Sequence, residues 1–300
     1  MTEERKQEIL EIIRNTNRRP AQTGKPLYPE EIMAYPNLCE EIESISRTVD
    51  GFSYRMDILR AKNRGENCPL FINIHGGGFI GPHRENDTYF SAYMADQIHG
   101  ITVDLDYTLS DAGPYPVALH QCMDALDYVA EHANTWGASA KDISVGGYSA
   151  GGALTAAMGI CCAERGGFVP KLQILCYPPL EYRIPDQYKI DAYDRQIGME
   201  RCKAFADLYF DDKKENFEDI HNSPLYAPRE ILAKQPKTLI LSAGLCNFRY
   251  EDEDYAICLA DAGAEVILKR FPEASHGFIP HFMDGWKEAA DLMVREILEK

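Results

Sequence analysis

Three hundred residues, 45% hydrophobic and 26% charged, suffice for one large α/β domain or two ordinary ones around a sizeable core. Against 31 Lys and Arg stand 47 Asp and Glu, a formal charge of −16 that no basic stripe offsets, which argues against nucleic acid as a partner. The charged stretch Met1 to Arg14 does not read as a signal peptide, and no apolar run nears the roughly 18 residues that span a bilayer. Nine scattered cysteines without a Cys-x-x-Cys pair read as reduced thiols, so the expectation is a cytoplasmic protein without membrane insertion.

Residues 2–14 place Ile9, Leu10, Ile12 and Ile13 on one side of a charged helix. Residues 18–36 are rich in Pro, Gly and polar side chains and read as a loop-like or partly helical arm. Strand patterns then run through Ile45 to Val49 and Tyr54 to Leu59, with Asp50-Gly51 as the hairpin turn. Beyond them, short apolar runs recur at 70–74, 101–105, 143–145, 172–177, 238–242 and 266–271. Helix-like stretches at 88–98, 117–132, 150–164, 253–262 and 285–298 lie between or after them. That alternation predicts a mostly parallel sheet with helices on both faces. One interval breaks the rhythm: residues 181–235 are too long for a plain connection and too apolar for a linker, with Tyr182, Tyr188, Tyr193, Phe205, Tyr209, Phe210 and Phe217 among them. The expected organisation is a helical arm over 1–42 that contributes to a cap, a core from 43–180 and 236–300, and a helical cap insertion over 181–235.

Gly147-Tyr148-Ser149-Ala150-Gly151 stands between a short strand and a helix. A serine on a sharp strand-to-helix turn is exposed as a nucleophile, and flanking glycines are needed where a Cβ would clash. The following helix directs its positive end at that serine. The plainer reading, a glycine turn that only packs a helix on a strand, competes; a phosphate loop does not, since Gly152-Ala153 replaces its Lys-Ser/Thr.

The strand at 70–74 ends in His75-Gly76-Gly77-Gly78-Phe79, whose glycines leave backbone N–H groups unobstructed as oxyanion donors. Gly76, Gly78 and Gly81, with Asp104 further on, also trace a dinucleotide fingerprint, but Pro82-His83-Arg84 intervenes before any helix starts. After the last strand, His276 sits in a loop before the C-terminal helix, where a base must lie to reach a serine at the sheet's carboxyl edge. Of the eight histidines, His99, His120 and His132 fall on helical stretches and His75 reads as a loop anchor.

Together His75-Gly-Gly-Gly-Phe79, Gly147-Tyr-Ser-Ala-Gly-Gly152, Ser223-Pro224-Leu225, Ser242-Ala-Gly-Leu245 and His276-Gly277-Phe278 resemble the hormone-sensitive-lipase family of esterases, from about Pro69 to the C-terminus. The resemblance implies an α/β-hydrolase fold with a helical cap and hydrolysis of short-to-medium acyl esters. Its oxyanion donors would map to Gly77, Gly78 and Ala150. Where the family carries its catalytic aspartate, this chain has Cys246. A neutral thiol, with a reference pKa of about 8.5, is a poor partner for an imidazolium. Glu251 is the first candidate for a replacement acid; Asp252, Glu253 and Glu181 follow, and a Ser149-His276 dyad is the remaining reading. The loop Asp106 to Pro116 also departs, keeping Tyr107 and Pro114-Tyr115-Pro116 of the family's pattern.

The expected function is a serine carboxylesterase or deacylase acting on a small-molecule ester through an acyl-enzyme on Ser149, with His276 as general base, and with neither cofactor nor metal. The alternative is a weakened hydrolase that binds a small molecule. A homo-oligomer is left open.

Overall fold

A computed structural model describes residues 1–16, 27–184 and 197–299. Residues 18–26 of the expected arm, and Tyr188 and Tyr193 of the expected cap, lie outside these.

After helix α1 (Glu3–Asn15) and the single turn α2 (Glu30–Met33), the chain forms β1 (Glu43–Val49) and β2 (Phe52–Arg60). Their register pairs Val49 with Phe52 across Asp50-Gly51, whose φ angles of 52° and 83° are the left-handed pair a two-residue hairpin needs. Then come β3 (Cys68–Ile74), α3 (Glu85–Gln97), β4 (Ile101–Asp106), α4 (Val117–His132), β5 (Ala138–Tyr148) and α5 (Ala150–Arg165). β6 (Leu172–Cys176) is followed by α6 (Met199–Tyr209), α7 (Arg229–Leu232), β7 (Lys237–Ala243), α8 (Arg249–Ala262), β8 (Val266–Phe271) and α9 (Trp286–Leu298).

The eight strands form one sheet in the order β1-β2-β4-β3-β5-β6-β7-β8. β2 pairs antiparallel with both β1 and β4, and the strands in the order β4 to β8 pair in parallel, so the predicted sheet is found. Alternating side chains divide its two faces. Leu70, Ile72 and Ile74 pack under α4 and α5 with Val103 and Val145, while Phe71, Ile174 and Leu239 pack under α3 and α9. Ile240 and Leu175 continue the first face beneath α5 and α8. β8 is an edge strand, and its Lys269 and Arg270 pair with Glu288 and Glu253, side chains that discourage further strand pairing.

Two boundaries differ from the sequence pattern, and both matter to the site. β5 runs to Tyr148 instead of stopping at Val145, because Gly146 and Gly147 are held extended between Asn73 and Ile74 on one side and Ile174 and Leu175 on the other. The expected glycine turn thus contracts to Ser149 alone. α8 begins at Arg249, four residues before the expected Glu253, which puts Glu251 and Asp252 in its first turn.

Candidate active site

Ser149 has φ 57° and ψ −122°, in the left-handed half of the map that side chains avoid, and it joins β5 directly to α5. The turn survives because the residues two positions to either side, Gly147 and Gly151, have no Cβ. A Cβ on Gly151 would lie 2.0 Å from the Ile74 carbonyl oxygen, and one on Gly147 would lie 2.5 Å from the Gly151 carbonyl carbon. The Ser149 N–H donates to the Cys176 carbonyl at 2.9 Å, which ties the turn to β6.

The loop after β3 closes over this turn. A Cβ on Gly76 would meet the Tyr148 carbonyl oxygen at 2.7 Å and Ser149 Cβ at 3.2 Å, so this backbone lies against the serine. Gly77 and Gly78 have φ of 127° and 63°, and Gly81 donates back to the Gly77 carbonyl at 2.8 Å. The N–H groups of Gly77, Gly78 and Ala150 donate to no group among the described residues, which leaves them open to a ligand. Side chains fix the loop from behind. The Ser110 hydroxyl donates to the Phe79 carbonyl at 2.8 Å, and the buried His75 ring stacks on Tyr107 at 4.3 Å. His83 Nε2 lies 2.7 Å from the buried Asp104 carboxylate, which also accepts from Asn73. Burial would depress the His83 pKa, but Asp104 outweighs it and holds the ring up at about 9. Asp104 is thus committed within the core, and α3 starts only at Glu85, so the dinucleotide fingerprint is not assembled.

His276 comes from the loop between β8 and α9, and its Nε2 stands 2.8 Å from Ser149 Oγ. Tyr177 and Phe248 meet its ring edge-on at 5.1 and 5.6 Å. Burial, with a smaller contribution from His281, lowers its pKa to about 3, so the ring is neutral and able to accept a proton. His120 and His132 lie on α4 as expected, whereas His99 sits in the turn after α3 with φ 49°.

At the other ring nitrogen stands a thiol. Cys246 Sγ is 3.1 Å from His276 Nδ1 and accepts the Phe248 N–H at 3.4 Å. Burial pushes its pKa well above the ordinary thiol value, with the Asp252 carboxyl adding to the shift, so the sulfur is protonated.

The structure does not bring Glu251 to His276 Nδ1, and the helical start of α8 is the reason. Glu251 is fixed in the first turn, where its Oε2 accepts the Leu180 N–H at 2.8 Å. Asp252 is wholly buried, and burial, followed by Glu251, raises its carboxyl well above the usual range. Glu253 faces outward to Arg270, with Oε1 accepting from Nε at 2.6 Å. Glu181 is buried, with Oε1 accepting the Ile184 N–H at 2.7 Å.

Ser149, His276 and the glycine loop open into a cavity of about 1050 Å³. Its outer wall comes from α1 and α6, which pack on each other through Ile9, Ile13, Ala204 and Leu208 and present Leu10 and Phe205 inward. The sequence pattern gave Ser110 and His83 no role and placed Asp104 only in the competing dinucleotide outline. Asp104 in the buried strand β4 was the available signal.

A family profile described as alpha/beta hydrolase fold matches residues 71–280. Esterase LipI of Mycobacterium tuberculosis is 30% identical over 217 residues, 71% of this chain and 66% of its own length. The hormone-sensitive lipase of Bos taurus is 28% identical over 120 residues, 40% of this chain and 16% of that protein. Among solved structures, an esterase of Pyrobaculum calidifontis superposes with a TM-score of 0.80 at 25% identity, covering 98% of this chain and 92% of its own. The chain covers just under two thirds of LipI and 62% of a Schizosaccharomyces pombe relative named as an AB hydrolase superfamily protein. The sheet order, the strained serine between β5 and α5 and the 210-residue span from 71 to 280 agree: this chain belongs to the α/β-hydrolase fold family.

Proposed function

We propose that the protein is a carboxylic ester hydrolase of the hormone-sensitive-lipase type, with Ser149 as nucleophile and His276 as general base. The observation that carries this reading is the 2.8 Å contact between His276 Nε2 and a Ser149 Oγ held on a left-handed turn. Ser149 Oγ attacks the ester carbonyl carbon while Nε2 takes its proton. The carbonyl oxygen, now an anion, receives the N–H groups of Gly77, Gly78 and Ala150 and the positive end of α5. The imidazolium returns the proton to the departing alkoxide, leaving an acyl-Ser149. A water activated by the same ring then frees the acid.

In this reading Cys246 takes the triad acid's place, and the protein works as a Ser-His pair backed by a neutral thiol. Glu251 instead braces the backbone it holds at Leu180. Residues 1–42 and 181–235 form the cap, which α1 and α6 represent among the described residues, and its apolar lining suits small acyl groups.

Stopped-flow release of 4-nitrophenol from 4-nitrophenyl butyrate should show a burst that Ser149→Ala removes, and a fluorophosphonate should label the wild type alone. An unchanged rate in Ser149→Ala would sink the assignment.

A further inference from the structure

The outer part of the cavity is basic, although the protein as a whole carries −16. Arg14 at the end of α1, Arg84 just before α3 and Arg201 in the first turn of α6 all line it. Several other arginines are paired, such as Arg47 with Asp124, Arg165 with Asp127 and Arg270 with Glu253. Arg14, Arg84 and Arg201 make no ion pair among the described residues. The carboxylates nearest in the lining do not answer them. Asp87 is committed to the Tyr148 hydroxyl and the Arg84 N–H, and Glu200 is exposed.

Arg201 is held in place rather than waving in solvent. Its Nη1 donates to the Ile13 carbonyl at 3.1 Å and its guanidinium lies 5.0 Å from the centre of the Phe205 ring. The same ring also lies against the glycine loop, where a Cβ on Gly78 would strike it at 2.6 Å. The cation and Gly78 thus meet the same aromatic ring, which places them within about 10 Å of each other. Burial lowers the Arg201 pKa, Cys202 raises it in part and Arg84 lowers it again, so two half-buried cations line one cavity with no counter-ion among the described residues. Leaving such charges unpaired is unfavourable unless an anion joins them.

We propose that Arg84 and Arg201 form an anion subsite, and that the ester this hydrolase cleaves carries a carboxylate a few bonds from its scissile carbonyl. A half-ester of a short dicarboxylic acid fits the separation. The inference rests on the hydrolase reading above and adds the substrate class. The net charge of −16 repels such a molecule at long range, but solvent screens that field within about 8 Å at physiological salt, a distance over which the two cations dominate.

The test compares kcat/KM for two matched pairs: mono-4-nitrophenyl adipate with its methyl ester, and 4-acetoxybenzoate with methyl 4-acetoxybenzoate. In at least one pair the anion should be preferred tenfold or more at low salt, and the preference should fall as sodium chloride rises. Arg201→Gln and Arg84→Gln should each cut the anion-to-neutral ratio about tenfold, chiefly through KM. Equal rates within both pairs, or ratios that neither variant moves, overturn the subsite and leave the hydrolase reading standing. If neither member of either pair is cleaved, the hydrolase reading fails instead. Calorimetric titration with monomethyl adipate and dimethyl adipate then decides the subsite alone: anion binding lost in Arg201→Gln supports it, and no anion binding overturns it.

Discussion

A thiol beside an imidazole differs from a carboxylate in which atom holds the proton. Nδ1 is a better acceptor than a sulfur, so a neutral Cys246 donates to Nδ1, and Nε2 is left protonated towards Ser149. The productive tautomer, with the proton on Nδ1, is then the minor one. Cys246→Asp should reverse that preference, because a carboxylate accepts from Nδ1 and stabilises the imidazolium. Asp252, held neutral by burial, does not oppose the new charge. Loss of the acid costs about 10⁴-fold in the protease triad, so a rise in kcat of ten- to a thousandfold is expected in steady-state esterase assays. The pH profile carries the second sign. The neutral ring is the active form and its pKa is lowered to about 3, so kcat/KM should stay flat from pH 5 to 8 in the wild type. In Cys246→Asp the ring's pKa rises and the acid limb should move up with it. A wild-type limb near pH 6.5 would contradict the buried setting of His276.

At the scale of elements, the loop between β3 and α3 depends on charges that titrate. His83 has a folded pKa of about 9, above its ordinary 6.5. The stability from its pairing with Asp104 is therefore fully present below pH 6.5 and is lost as pH rises through 9. The shift corresponds to on the order of 3 kcal/mol. His83→Gln should lower Tm most at pH 6 and progressively less above pH 9, as read by thermal unfolding across that range. The elbow between β5 and α5 is stricter still. Gly151→Ala would force a Cβ to 2.0 Å from the Ile74 carbonyl oxygen and 2.6 Å from that of His75, backbone atoms that are not free to yield. It should cost more than about 3 kcal/mol, seen as a lowered denaturation midpoint or loss of soluble protein. Most of these elements could be read beforehand. Sheet and helices announced themselves by period, and the glycine motifs by spacing. The start of α8 could not, since Arg249 to Asp252 carries no capping signal, and that one turn decided where Glu251 points.

Across the whole molecule, the cavity wall is the part least tied to the core. α1 reaches the rest of the described protein mainly through α6, by Ile9 and Ile13 against Ala204 and Leu208, and through ion pairs such as Arg5 with Asp207. Ile9→Ala removes a wholly buried side chain from that seam, a change costing about 2–5 kcal/mol locally. KM for esters should rise severalfold in kinetic assays while the main unfolding transition moves little, because the sheet core is untouched. Among the described residues no helix is long and apolar enough to cross a membrane.

The amino-acid sequence alone determined the sheet and its flanking helices and singled out Ser149 and His276 as candidates, because periodicity and glycine spacing are local properties of the chain. It also marked Cys246 as the residue where an acid was expected. Only the tertiary structure decided what faces the second nitrogen of His276, since 30 residues separate Cys246 from it and helical geometry holds Glu251 elsewhere. The gathering of Arg14, Arg84 and Arg201 around one cavity was likewise invisible in one dimension. Each lies on a different element, and only packing sets unlike stretches of chain side by side.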